Sequence, residues 1–323
     1  MSEMLMVEQR RGRRDSAPWI LEGGRKLPGV DDHRRMGELR SGLLCHLSVR
    51  TDLADAGTGR VRETLVRLHD APYLETLWEL DSEELVVIPE LAAPGLPPDI
   101  PVSAGLVAAA EEGVRTAITA ALRLRDGARF AYALSRPPGH HAGPDWFAGY
   151  CYLNSAAAAA LTLRDGGLSP VGILDLDLHY PNGTAAIAAR LREVRLHSLH
   201  AWPVTNVAEG TVRASGGRER AVEFREAPGP AEWLEEVATS VEALAAECGS
   251  LVVSLGYDTV AGDPHGSWAF PPEIFAQVGR LLADTELPVC IVQEGGYALD
   301  LLSACAYAFA SGLLDRAAEM EPA

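Results

Sequence analysis

The chain has 323 residues and is strongly acidic: 28 Lys and Arg against 45 Asp and Glu leave a formal net charge of −17. Hydrophobic residues make up 47 % and charged residues 23 %, a globular composition rather than a disordered one. The charge balance argues against nonspecific nucleic-acid binding, which needs a basic footprint. No window approaches the roughly 20 apolar residues of a membrane helix.

The first residues, MSEMLMVEQRRGRRDS, lack the basic-then-apolar order of a signal peptide, and their apolar stretch reads as an edge strand. Five cysteines (Cys45, Cys151, Cys248, Cys290, Cys305) are scattered, and none forms a C-x-x-C pair. They suggest neither a zinc ribbon nor a disulfide framework, and a reducing cytoplasm is the expected compartment. There is no internal repeat, and the Pro-rich stretch Pro89 to Pro101 is too short for a linker. One domain over residues 1–323 is expected.

Further along, helical patterns alternate with short apolar runs. Ser103–Arg125, with Ser103 as N-cap, reads as a helix. Phe130–Leu134 reads as a strand, followed by a helix over Asn154–Arg164. Val171–Leu176 is a second strand, followed by helices over Thr184–Arg192 and Ala231–Cys248. Leu251–Leu255 and Pro288–Val292 are strands, and Pro272–Asp284 and Ala298–Leu313 are helices. Each strand is apolar on both faces, as a buried parallel strand must be. The alternation predicts an α/β fold: a mostly parallel central sheet flanked by helices.

The chemistry lies after the strands. The first runs into Arg136-Pro137-Pro138-Gly139-His140-His141 and the second into Asp175-Leu176-Asp177-Leu178-His179. The third is followed by Gly256-Tyr257-Asp258 and Gly262-Asp263-Pro264, the fourth by Glu294-Gly295-Gly296-Tyr297. Ligands of open α/β sheets bind beyond the carboxyl ends of the strands. In an extended segment residues two apart share a face, so Asp175, Asp177 and His179 point one way and Leu176 and Leu178 the other. Two carboxylates and an imidazole suit zinc or a similar divalent metal. Asp263 would supply a third ligand and leave one position open. His140 and His141 supply a base, with Asp175 and Asn182 available to fix the ring tautomers. Tyr297 could donate to an oxyanion.

The set RPPGHHAG (Arg136–Gly143), GYCYLN (Gly149–Asn154), DLDLH (Asp175–His179), NGT (Asn182–Thr184), SLH (Ser198–His200), GYDTVAGDP (Gly256–Pro264) and EGGY (Glu294–Tyr297) resembles the histone deacetylase and acetylpolyamine amidohydrolase family. The resemblance runs from about Asp99 to Leu302, with weaker echoes at Arg35-Met36 and from His69 to Tyr73. It implies an arginase-like α/β fold, one catalytic zinc and hydrolysis of an acetyl or other acyl amide by a zinc-bound water. Carried over, Asp177, His179 and Asp263 are the zinc ligands and His140 and His141 the acid/base pair. Asp175 backs His140, Asn182 backs His141, and Tyr297 polarises the carbonyl. Gly149 and Tyr150 fall at an aromatic wall of the substrate tunnel, and Asp99 at a substrate-holding rim. Asp175, Asp177 and Ser198, with backbone carbonyls of His179 and Leu199, resemble a structural potassium site.

Two departures bear on substrate. A fixed Pro replaces a flexible Gly in His179-Tyr180-Pro181, and the segment Trp202–Pro230 lacks the pattern of the second tunnel wall, for which Trp202 is the candidate substitute. The expected partner is a small-molecule or peptide acyl-amide, with an acetylpolyamine, an acetyl-lysine protein and a small biosynthetic intermediate all open. Neither nucleic acid nor membrane is expected, and the sequence leaves homo-oligomerisation open. The competing readings are a two-metal ureohydrolase of the same fold and a non-hydrolytic acyl-ligand binder.

Overall fold

The computed structural model describes residues 3–10, 16–202 and 218–321. In chain order the elements are β1 (Met4–Glu8), β2 (Trp19–Glu22), β3 (Arg25–Pro28), α1 (Arg34–Leu44), β4 (Val49–Leu53), α2 (Thr58–Leu68), α3 (Ala71–Trp78), α4 (Ala104–Arg125) and β5 (Phe130–Leu134). There follow α5 (Ser155–Asp165), β6 (Val171–Asp175), α6 (Asn182–Arg190), β7 (Val194–Ala201), β8 (Glu219–Phe224), α7 (Pro230–Glu247), β9 (Ser250–Leu255), α8 (Ile274–Asp284), β10 (Val289–Gln293) and α9 (Leu299–Met320). An eight-stranded sheet runs in the order β4-β1-β5-β10-β9-β6-β7-β8, and every pairing in it is parallel. A small antiparallel hairpin, β2-β3, stands apart from it.

The sheet separates two apolar cores, and strand parity decides which side chain enters which. Ala131 and Ala133 of β5, Val171 and Ile173 of β6 and Val252 of β9 face the core formed with α2 to α6. Phe130 and Tyr132, Leu174, and Leu251 and Val253 face the core formed with α1, α7, α8 and α9. Successive strand residues point to opposite faces, so both faces must be apolar and both must be covered. This explains why the apolar runs do not alternate with polar residues.

Ser103 caps its helix as expected, and Asn154 caps the next. Ser103 Oγ accepts from the Leu106 amide at 3.4 Å, and Asn154 Oδ1 accepts from the Ala157 amide at 2.8 Å. The last helix extends beyond the expected Leu313, because Leu314 and Ala317 continue its buried face. The N-terminal strand is not an edge strand. β1 pairs with β4 on one side and β5 on the other, with Met4 and Met6 in one core and Val7 in the other. The true edges, β4 and β8, are partly polar and escape an apolar-run criterion. No helix among the described residues is long and apolar enough to cross a membrane.

Candidate active site

The four strands with chemistry at their ends, β5, β10, β9 and β6, are neighbours at the centre of the sheet. Their following loops therefore meet over one edge. His179 Nδ1 lies 3.1 Å from Asp177 Oδ1 and 3.0 Å from Asp258 Oδ2. Donor atoms of Asp177, His179 and Asp258 all lie within 4.8 Å of one another. Burial alone would lower the His179 pKa, but its bonds to the two carboxylates outweigh this and push it up to about 10. Two buried carboxylates thus converge on one imidazole nitrogen and hold positive charge there.

These residues fit a divalent metal. One nitrogen and two carboxylate oxygens are the donor set of three-ligand sites that keep an open position. The backbone makes room for it: a Cβ on Gly295 would stand 2.6 Å from Asp177 Oδ2 and 3.0 Å from Asp258 Oδ2. The Gly295 amide instead donates to Asp177 Oδ2 at 2.9 Å, and the Leu178 amide to Asp258 Oδ1 at 2.9 Å. The unused carboxylate lone pairs are thereby aimed.

The third acid of this cluster is Asp258, not the expected Asp263. Asp263 lies in the next turn with Oδ2 toward the Tyr297 amide at 2.5 Å and the Ala298 amide at 3.0 Å. Its Oδ1 accepts from the His265 amide at 2.9 Å. The registered pairing of β6 and β9 gives the reason. Asp175 pairs with Ser254, and His179 and Asp258 each stand four residues beyond those partners. They overhang the sheet equally. Asp263 lies beyond the Tyr257–Val260 turn, where the loop has already folded away.

The histidine pair stands beside this cluster. His140 and His141 ring centroids are 4.1 Å apart, and His141 and His179 centroids 5.9 Å. His141 Nδ1 is 2.7 Å from Asn182 Oδ1, and His140 Nδ1 is 3.4 Å from Asp175 Oδ2. Burial would lower both rings. For His140 the charges of Asp177 and Asp175 win and raise the pKa to about 10. For His141 the charges of His140 and His179 add to burial and hold it well below its usual value. Adjacent rings pushed apart in this way divide acid from base.

Tyr297 is nearly enclosed, and burial holds its phenol well above the usual value, so the proton stays on. Its ring meets Tyr150 at 5.9 Å and His265 at 5.3 Å, and the Arg35 guanidinium lies 4.5 Å from its centroid. Arg35 also donates to the carbonyls of Gly296 and Glu294 and pairs with buried Asp31, which Arg136 contacts at 2.9 Å. Asp31 and His265 carry no signal in the chain beyond their residue type, whereas Glu294 opens the EGGY motif and Arg35 is a weak echo of the family.

The expected pocket residues divide. Tyr150 joins the aromatic group, and its hydroxyl accepts from the Val30 amide at 3.1 Å. Gly149 runs against His141: a Cβ there would stand 2.5 Å from the ring. Asp99 is turned inward, with Oδ2 taking the Gly149 amide at 2.8 Å, and burial raises its pKa to about 6. It props the loop that carries Tyr150. Trp202 is 40 % exposed under Arg225 and makes no ring contact with the other aromatics among the described residues. Residues 203–217 of the atypical segment lie outside the described residues. Asp175 is in register with Ser198 on β7, whose Oγ lies 2.8 Å from His200 Nδ1, while Leu199 is buried in the core.

A parallel sheet with such a cluster over its central strands is a setting that suits a metal-dependent hydrolase. Residues 38–313 match the histone deacetylase domain, and the chain belongs to the histone deacetylase family. It is a hydrolase of the deacetylase class. The chain is 32 % identical to acetylpolyamine amidohydrolase 1 of Pseudomonas aeruginosa over 277 residues, 75 % of this chain and 80 % of the relative. It is 33 % identical to the acetylpolyamine amidohydrolase of Mycoplana ramosa over 267 residues, 73 % of this chain and 78 % of the relative. The crystal structure of acetylpolyamine aminohydrolase from Burkholderia pseudomallei superposes with a TM-score of 0.81 at 27 % identity, covering 97 % of this chain and 99 % of that one.

Proposed function

We propose that the chain, as one catalytic domain over residues 1–323, removes the acetyl group from small acetylated amines of the polyamine type. Asp177, His179 and Asp258 hold one zinc ion. The observation that carries this reading is the convergence of those three side chains beside a buried histidine pair whose ring centroids are 4.1 Å apart. The ion supplies a Lewis acid and lowers the pKa of water. The protein supplies the rest. His141 directs Nδ1–H at Asn182, so its Nε2 carries the lone pair that takes a proton from the attacking water. His140, charged between Asp175 and Asp177, holds the proton that the departing amine needs. Tyr297 keeps its hydroxyl hydrogen and donates it to the charge that develops on the carbonyl oxygen.

The substrate class rests on two points. The relatives are named for acetylpolyamines, and a net charge of −17 draws cationic molecules at long range. A potassium ion held by Asp175, Asp177 and Ser198 with the backbone carbonyls of His179 and Leu199 belongs to the same reading. So does the cytoplasm, where five unpaired cysteines are at home. The test is a panel of N-acetylated diamines and acetyl-lysine peptides with zinc-reconstituted protein. A kcat/KM at least about tenfold higher for the acetylated diamines is expected, roughly 1.4 kcal/mol of discrimination. Preference for the peptides would overturn the substrate class, and no turnover of either would overturn the reading.

A further inference from the structure

Glu294 is a buried acid without a task in the mechanism above. It follows the last residue of β10 and precedes Gly295-Gly296-Tyr297. Its side chain is fully enclosed. Oε2 accepts from the Gly139 amide at 2.7 Å and the His140 amide at 3.2 Å. Its own amide donates to the Leu255 carbonyl at 3.0 Å. Its carbonyl accepts from Arg35 at 2.7 Å and from Gln293 Nε2 at 3.1 Å. One residue therefore ties the histidine loop after β5 to the tyrosine loop after β10, to the end of β9 and to α1.

Stability does not account for a carboxylate at this place. Asp175 and Asp177 already crowd the same histidine, and another enclosed carboxylate pays desolvation and repulsion. Oε1 has no hydrogen-bond partner among the described residues, so burying it is not repaid by a bond. The gain is geometric. The His140 ring must stay between Asp175 and Asp177, at 3.4 Å and 3.6 Å, while Tyr297 stays over the same space. A single side-chain oxygen that fixes two consecutive amides of one loop from the root of the other sets that spacing.

We infer that Glu294 is a positioning residue, which sets the His140 loop against the Tyr297 loop through its bonds to the Gly139 and His140 amides. The inference rests on the deacetylase mechanism proposed above. Glu294→Gln keeps an acceptor oxygen for both amides, and Glu294→Ala removes it. Glu294→Ala should lower kcat on the order of 10–100-fold, the usual effect of losing an outer support of a metal site. KM and metal content should stay the same. Glu294→Gln should restore kcat to within about threefold of the parent, since a positioning bond needs the oxygen and not the charge.

An unchanged kcat in Glu294→Ala would overturn the inference. So would a Glu294→Gln variant as slow as Glu294→Ala, or a loss of metal in step with activity. Amide NMR of the same proteins reads positioning apart from turnover. The Gly139 and His140 amide protons and the His140 ring should shift in Glu294→Ala and return in Glu294→Gln. If the parent turned over no acetylated amine, the mechanism would fail while those shifts still judged the positioning. If Glu294→Ala does not fold, Glu294→Asp, whose shorter side chain withdraws the oxygen, takes its place under the same expectations.

Discussion

Asp258 and Asp263 stand five residues apart in the loop after β9, and they end in different halves of the site. Asp258 turns its oxygens to His179 and to the Leu178 amide, within the cluster that can hold a metal. Asp263 turns its oxygens to three backbone amides and so fixes the loop of Tyr297 and His265. Identical side chains thus take opposite tasks. One joins an acid and imidazole cluster that can hold a metal, and the other holds backbone. The difference comes from what each faces: a second carboxylate and an imidazole in one case, unpaired N–H groups in the other.

Substitutions that treat the two alike will show whether this division holds. The largest effect is expected at Asp258→Ala, which should lose the bound metal and with it all measurable turnover. Elemental analysis checks this, and retention of one zinc per chain would return Asp258 to the backbone-holding role. His141→Ala should keep the metal and lose kcat on the order of 10²–10⁴-fold, the value of a general base. Steady-state kinetics on the metal-loaded variant decide it. Near-normal turnover would remove His141 from the proton path.

Smaller effects sharpen the other half. Tyr297→Phe should lower kcat on the order of 10²–10³-fold with little change in KM, as for one lost oxyanion donor. Asp263→Ala should keep its zinc and lose on the order of 10–100-fold in kcat, because it only supports the Tyr297 loop. Kinetics on the pair place the two in order. An Asp263→Ala variant without metal would sink the distinction between the aspartates.

The smallest effect concerns His69, which is buried with Nδ1 2.7 Å from the Gly143 carbonyl and Nε2 accepting from the Asn154 amide at 3.3 Å. Burial lowers its pKa from 6.5 to about 4. Between those values the unfolded chain binds the proton and the folded chain does not. This contribution is therefore fully present above pH 6.5 and is lost as pH falls towards 4. His69→Gln should show a shallower fall of Tm between pH 7.5 and 5 than the parent. Equal slopes would mean that His69 titrates alike in both states.

The motifs at the strand ends were legible because a parallel sheet must send its loops out of one edge. Strand register then brings β5, β10, β9 and β6 together without any long-range signal in the chain. Four of the five members of the acid and histidine core, His140, His141, Asp177 and His179, could be read in this way. The fifth could not. Choosing between Asp258 and Asp263 needs the length of overhang past β9, which depends on where that strand ends. Arg35 was readable only as a weak echo of the family in a helix pattern, because its partners Gly296 and Glu294 are far from it along the chain.

Local chemistry by itself determined the α/β alternation, the buried character of the central strands, the cap at Ser103, and the gathering of acids and histidines at the strand ends. These depend on periodicity and on residue type within a few positions. Tertiary structure alone decided that β1 lies inside the sheet, which of two aspartates meets His179, and that Asp99 takes the Gly149 amide. Each depends on which groups approach from distant parts of the chain. A carboxylate takes its role from the donors around it, and those donors are brought together only when the sheet closes.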